Sequence, residues 1–142
     1  MNLDQFSNAH DTATLRDRLA AIEGFDPDLA LRNVHGQPAL LMRVLRRFAT
    51  SYRDGLPALL ESNGAEHDLV ARWRGICHSV RGALAAVGAL ALCDQVNALE
   101  QELRALRSRA SFIANARRLH EALIAFVQRV MRELAASETA TA

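Results

Sequence analysis

The stretch Asp68–Gly88, DLVARWRGICHSVRGALAAVG, decides how the rest of the chain is read. On a helical wheel of about 100° per residue, Leu69, Trp73, Ile76, Val80, Leu84 and Val87 fall in one narrow stripe. Such a stripe is a seam for packing against other helices. Cys77 lies beside it. His78 follows Leu69 by nine residues, so it points about 180° away from the seam. Its neighbours on the wheel are Ala71, Arg74, Gly82 and Ala85, with Gly75 and Arg81 just outside. The stretch therefore predicts one amphipathic helix with a lone histidine on its solvent face. Gly75 and Gly82 stand at i−3 and i+4 from His78, so both flank the imidazole. Each costs a helix interior about 1 kcal/mol relative to alanine. Their missing side chains leave a shallow platform that a large partner can approach.

Outward from this helix, apolar positions recur at helical spacing on both sides. Asp26-Pro27 is a start signal, an N-cap followed by proline at the first helical position, and opens a short helix to about Val34. His35-Gly36 closes it. A helix from Pro38 to about Leu60 follows, with Leu41, Leu45, Phe48, Tyr52, Leu56 and Leu59 on one side. Gly55 and Pro57 predict a bend in it or a break into two pieces. Ser62-Asn63-Gly64 is a stop, and the histidine helix starts near His67. Gly88 ends it at a cap or tight turn. A further helix is expected from about Ala89 to Arg107, with Leu92, Val96, Leu99, Leu103 and Leu106 as its seam. The last is expected from about Ser111 to Ala135, with Phe112, Ala116, Leu119, Leu123, Phe126, Val130 and Leu134.

Four long amphipathic helices joined by short connections predict an all-α fold, an antiparallel four-helix bundle with a short additional N-terminal helix. Residues 1–23 read as an N-terminal extension or added helix, in which Thr14-Leu15-Arg16-Asp17 resembles a capping box opening a helix that ends before Gly24. Residues 24–135 form the bundle, and 136–142 are expected to be a disordered tail.

Composition agrees with one domain. The chain has 142 residues, half of them hydrophobic and only 5% aromatic, enough for one leucine- and alanine-rich core. The net charge of +1 gives no general attraction to nucleic acid or membranes. All 17 basic residues are arginine. The arginines of the last two helices (Arg104, Arg107, Arg109, Arg117, Arg118, Arg129, Arg132) alternate with Glu100, Glu102, Glu121 and Glu133 and read as a solvated face. No run reaches the apolar length of a membrane span, and no basic segment followed by an apolar one marks a leader, so a cytoplasmic protein is the expectation.

The chemistry is limited. Two cysteines, Cys77 and Cys93, make no disulfide framework and are expected reduced and packed. Phosphate-cradling glycine loops, Cys-x-x-Cys and His-Glu-x-x-His are missing from the sequence. Cys77 and His78 diverge by about 100° on a helix and do not form a ligand pair. His10, His35, His67 and His120 have no ligand partner at i±4; they read as surface histidines, with His120 packed. That leaves His78.

His78-Ser79-Val80-Arg81-Gly82, then Gly88, then Leu99-Glu100, resembles the pattern of histidine-containing phosphotransfer (HPt) domains: His-x-x-Lys-Gly, a glycine six residues on, and a Leu-Glu pair in the next helix. Gly24-Phe25-Asp26 through Asn33-Val34-His35-Gly36, and Leu41 to Tyr52, resemble the entry helices of HPt modules attached to hybrid sensor kinases. The resemblance covers roughly residues 24–130. It implies a phosphorelay phosphocarrier, not an enzyme with a kinase core. His78 would accept a phosphoryl group from a receiver-domain aspartate and pass it to another receiver. Arg81 stands where the family has lysine beside the phosphoryl group, and Gly82 where a glycine makes room for the receiver. Arg74, Gly75, Ala85 and Gly88 would complete the binding surface. The implied partners are response-regulator receiver domains and a hybrid sensor histidine kinase, with no nucleic acid and no membrane insertion, and a monomer is expected. No cofactor is implied on this chain; Mg²⁺ would be held by the receiver. Arginine at 81 departs from the family and is a bulkier, planar fork donor than lysine. The competing reading is a receiver-binding adaptor or regulatory helical module that docks a receiver or another protein on the same platform without phosphotransfer.

Overall fold

The computed structural model describes the backbone of residues 3–105 and 108–141, with side chains from Thr12 to Glu138. The chain is all-α. Its helices are α1 (Leu3–Ala20), α2 (Pro27–Asn33), α3 (Pro38–Ser51), α4 (Glu66–Val87), α5 (Leu90–Arg104) and α6 (Arg109–Thr141), with a short 3₁₀ turn over Pro57–Leu60. The α4 helix packs on α5, α5 on α6, α6 on α3 and α3 on α4, while α1 lies against α2, α3 and α6. Among the described residues, no helix is long and apolar enough to cross a membrane.

Local chemistry sets several helix ends. Asp26 caps α2 by accepting a hydrogen bond from the Leu29 N–H at 3.0 Å, and Pro27 follows at the first turn. Glu66 and Asp68 place negative charge in the first turn of α4, where the helix dipole favours it. Gly88 ends α4 at φ +79°, with the Ala89 N–H donating to the Leu84 carbonyl at 2.9 Å and the Gly88 N–H to that of Ala85 at 3.2 Å. This pair of bonds is a Schellman cap. Gly24 to Asp26 then straps the turn. Asp26 N–H donates to the Gly88 carbonyl at 2.8 Å, and Ala91 N–H to that of Gly24 at 3.1 Å. Asn33 adds a side-chain amide donated to the Ala86 carbonyl at 3.0 Å. Carbonyls at the end of α4, which have no partner inside the helix, are thus satisfied by α2.

One core runs through all the helices. Leu69, Trp73, Cys77, Val80, Leu84 and Val87 of α4 are buried, as are Val96, Leu99 and Leu103 of α5 and Phe112, Ala116, Leu119, Leu123 and Val130 of α6. Trp73 meets Phe112 edge-on with ring centroids 5.8 Å apart, and its indole N–H donates to the Ala58 carbonyl at 3.2 Å. The expected seam of α4 is slightly rotated: Cys77 is fully buried and Ile76 only partly.

The break expected near Gly55 and Pro57 is present: α3 ends at Ser51, and the turn through Gly55, with φ +70°, leads to the separate 3₁₀ turn that starts at Pro57. Other expectations change. Thr14 does not open a helix: α1 already runs from Leu3, and Leu15 and Leu19 are buried on it. Residues 136–141 are not a disordered tail but the last turns of α6. Ser137 is buried and donates its hydroxyl to the Glu133 carbonyl at 2.9 Å, and Glu138 pairs with Arg46 of α3. The α5 helix stops at Arg104; Leu106, expected in its seam, and Arg107, expected on the solvated face, lie outside the described residues.

Candidate functional site

The site centres on the middle of α4, at His78. The imidazole is exposed, and no hydrogen bond joins it to a described residue. Ala71, Arg74, Gly75, Gly82 and Ala85 are exposed around it. A Cβ added at Gly75 or at Gly82 would meet nothing within 4 Å. Nothing in this chain therefore occupies the space the two glycines leave beside the histidine.

A groove adjoins this platform. It is an open concavity of about 340 Å³ lined by Tyr52, Leu56, Arg72, Gly75, Ile76, Ser79 and Val80. Its outer wall is the segment between α3 and α4, which α4 and α6 hold in place. Leu56 donates its N–H to His120 Nδ1 at 2.9 Å, Trp73 bonds to Ala58, Arg72 donates to the Asn63 carbonyl at 3.2 Å, and Arg109 donates to that of Ser62 at 2.5 Å. His120 is packed as expected, and it accepts at Nδ1, so its proton lies on Nε2.

Arg81 is half-buried and takes part in an ion pair with Glu100 of α5. Glu100 is buried and also meets Arg104, one turn along α5, at 3.4 Å. The arginine expected beside a phosphoryl group is thus engaged by a carboxylate of the neighbouring helix. Gly88, expected on the binding surface, is buried instead. A Cβ there would lie 2.5 Å from the Asp26 carbonyl oxygen, so its role is in the turn. The structure gathers His78, Arg74, Gly75, Gly82 and Ala85 on one exposed face and removes Gly88 from it.

Sequence spacing missed two groups. Glu100 and Arg104 are readable as an i,i+4 pair, but the contact of Glu100 with Arg81 crosses helices. Tyr52 and Leu56 read as core positions and are only partly buried, because α3 ends at Ser51 and the chain beyond it exposes one side of each to the groove. The arginines of the last helices are largely spent on neighbours: Arg129 on Glu133 at 3.3 Å, Arg118 on Asn115 at 3.1 Å and Arg109 on the Ser62 carbonyl.

The neighbouring cysteine differs sharply from His78. Cys77 is fully buried, and burial pushes its thiol up to about 11. It is therefore a packed apolar residue rather than a nucleophile. Cys93 is half-buried, its thiol also raised by burial. Both are free thiols. Among the described residues, no three His, Cys, Asp or Glu side chains cluster to hold a metal ion.

No family model, characterised protein or solved structure matches this chain.

Proposed function

We propose that this chain is a phosphorelay phosphocarrier of the HPt type, taking a phosphoryl group on His78 from the aspartyl phosphate of a receiver domain and passing it to another receiver. In this reading α3, α4, α5 and α6 are the four members of an antiparallel bundle, and α1 and α2 are additions to one end. The partners are receiver domains and a hybrid sensor kinase, and the chain works as a cytoplasmic monomer. The observation that carries the reading is the face of α4 opposite its seam, where an unengaged imidazole stands between two glycines whose side-chain space is empty.

Neutral imidazole is a nucleophile near pH 7. One ring nitrogen directs its lone pair at phosphorus while the bond from phosphorus to the aspartyl oxygen breaks. The carboxylate leaves with that electron pair, and the ring keeps its proton on the other nitrogen. Such transfer depends mainly on positioning and charge stabilisation, so the carrier needs reach and a flat approach more than acid–base machinery. Gly75 and Gly82 supply the approach. The groove beside Ser79 offers an apolar recess to the edge of a docked receiver.

The test incubates this chain with labelled, phosphorylated receivers of the same organism, beside His78→Gln. Label that is acid-labile and alkali-stable, gained by the wild type and not by the variant, is the expected result. Receiver binding that is equal in both proteins with no label on either would replace the carrier by the adaptor.

A further inference from the structure

Glu100 is a charged side chain that the carrier chemistry leaves unused. It sits on α5 with 12% of its side chain exposed, and two arginines reach it: Arg81 from α4 and Arg104 from its own helix. Burial makes a carboxylate dependent on its cations, because it has lost most of its hydration. Arg81 is placed in turn. One of its Nη atoms is paired with a Glu100 carboxylate oxygen, while its buried Nε has no hydrogen bond to a described residue. Arg104 is 62% exposed and free to move closer.

We propose that Glu100 is a positioning residue for phosphoryl transfer: it holds Arg81 while His78 is bare, and passes to Arg104 when Arg81 turns to the phosphoryl group. This inference rests on the carrier reading of His78. Arg81 follows His78 by three residues, so the two are neighbours on one helix face. A phosphoryl group with its higher charge competes with a single carboxylate for a guanidinium, whose planar fork suits phosphate oxygens. Releasing Arg81 from a buried carboxylate with no other cation would be prohibitive; Arg104 removes that obstacle. The two partners of Glu100 thus act in opposite senses. Removing the carboxylate sets Arg81 free and favours phosphohistidine, whereas removing Arg104 ties Arg81 to Glu100 and disfavours it.

The experiment is phosphoryl exchange between N-phosphoimidazole and the full chain, followed by phosphorus NMR from both directions. A ring nitrogen of His78 attacks phosphorus, the bond to the small imidazole breaks, and the proton of the attacking ring ends on the departing imidazole. The exchange constant therefore measures phosphohistidine stability with no protein partner. Glu100→Gln is expected to raise it about fivefold and Arg104→Ala to lower it about twofold, changes of the size that partly exposed ion pairs produce. In an Arg81→Ala background neither substitution should move it. Shifts of the same sign, or shifts that survive without Arg81, overturn the proposal, as does an unchanged constant in Glu100→Gln. Should Glu100→Gln fail to fold, Arg104→Ala at its exposed position decides alone: an unchanged or raised constant overturns the hand-over. Failure of the wild type to gain phosphoryl on His78 would overturn the carrier reading and this inference together, whereas exchange without the opposite shifts removes only the role of Glu100.

Discussion

A Cβ added at Gly88 would lie 2.5 Å from the Asp26 carbonyl oxygen, whereas one added at Gly82, on the same helix, would meet nothing within 4 Å. Gly88 also holds φ +79°, which an L side chain adopts only at a cost, while Gly82 sits in ordinary helix. The first glycine is required by the chain's own backbone. The second, like Gly75, weakens the helix and returns nothing that this chain uses. In the carrier reading, its reason is the receiver that approaches His78. Folding and function therefore ask for the same residue type on one helix for opposite physical reasons.

Gly88→Val should destabilise the protein by about 3 kcal/mol or more, from the left-handed backbone and the collision with Asp26, read as a lower urea midpoint. A midpoint equal to wild type would mean that the Gly24–Asp26 strap does not constrain the turn.

The buried and exposed faces of α4 can be separated next through Cys77, the immediate neighbour of His78. An unfolded thiol ionises near 9.0 and the folded one near about 11. Between those values the folded chain keeps a proton that the unfolded chain has lost, so stability falls as pH rises. The loss is about 2 kcal/mol across the window, below the limiting slope of about 1.4 kcal/mol per pH unit because the thiol is only partly titrated at either edge. Denaturation of wild type and Cys77→Ala at a series of pH values should show this extra slope only where the thiol is present. Parallel curves would place Cys77 nearer to water than the seam allows.

Gly82→Ala sharpens the contrast with a smaller effect. It should stabilise the helix by about 0.5–1 kcal/mol while slowing phosphoryl uptake from a receiver. A gain in stability with unchanged uptake would leave the empty face without a purpose. The smallest effect is expected at His35, which holds a left-handed φ of +56° in a cap like that of Gly88 but without glycine. His35→Gly should add roughly 0.5 kcal/mol, seen in the same urea titration.

Much of this fold was legible from periodicity and punctuation. The α4 seam, the proline starts of α2 and α3 and the glycine end of α4 all follow from local rules, and local rules are where a single sequence carries most information. The end of α6, residues 137–141, is helical although Ser-Glu-Thr-Ala-Thr has little helical signal of its own. Its order comes from contacts outside the segment, the Glu138–Arg46 pair and the burial of Ser137. At the site, the exposure of His78 and its glycines was readable on a wheel. The burial of Gly88 and the capture of Arg81 by Glu100 were not, because each depends on a segment distant in the chain packing against α4.

The central claim is that His78, alone among the five histidines of the chain, carries the phosphoryl group. Nitrogen-15 labelling of the histidine rings, with NMR spectra taken before and after reaction with a phosphorylated receiver, tests it residue by residue. The ring signals of His78 should move and gain coupling to phosphorus, while His120, with its Nδ1 bound to the Leu56 N–H, keeps its own. Phosphorus coupling at another histidine, or none at any ring after the receiver has lost its phosphoryl group, would contradict the account.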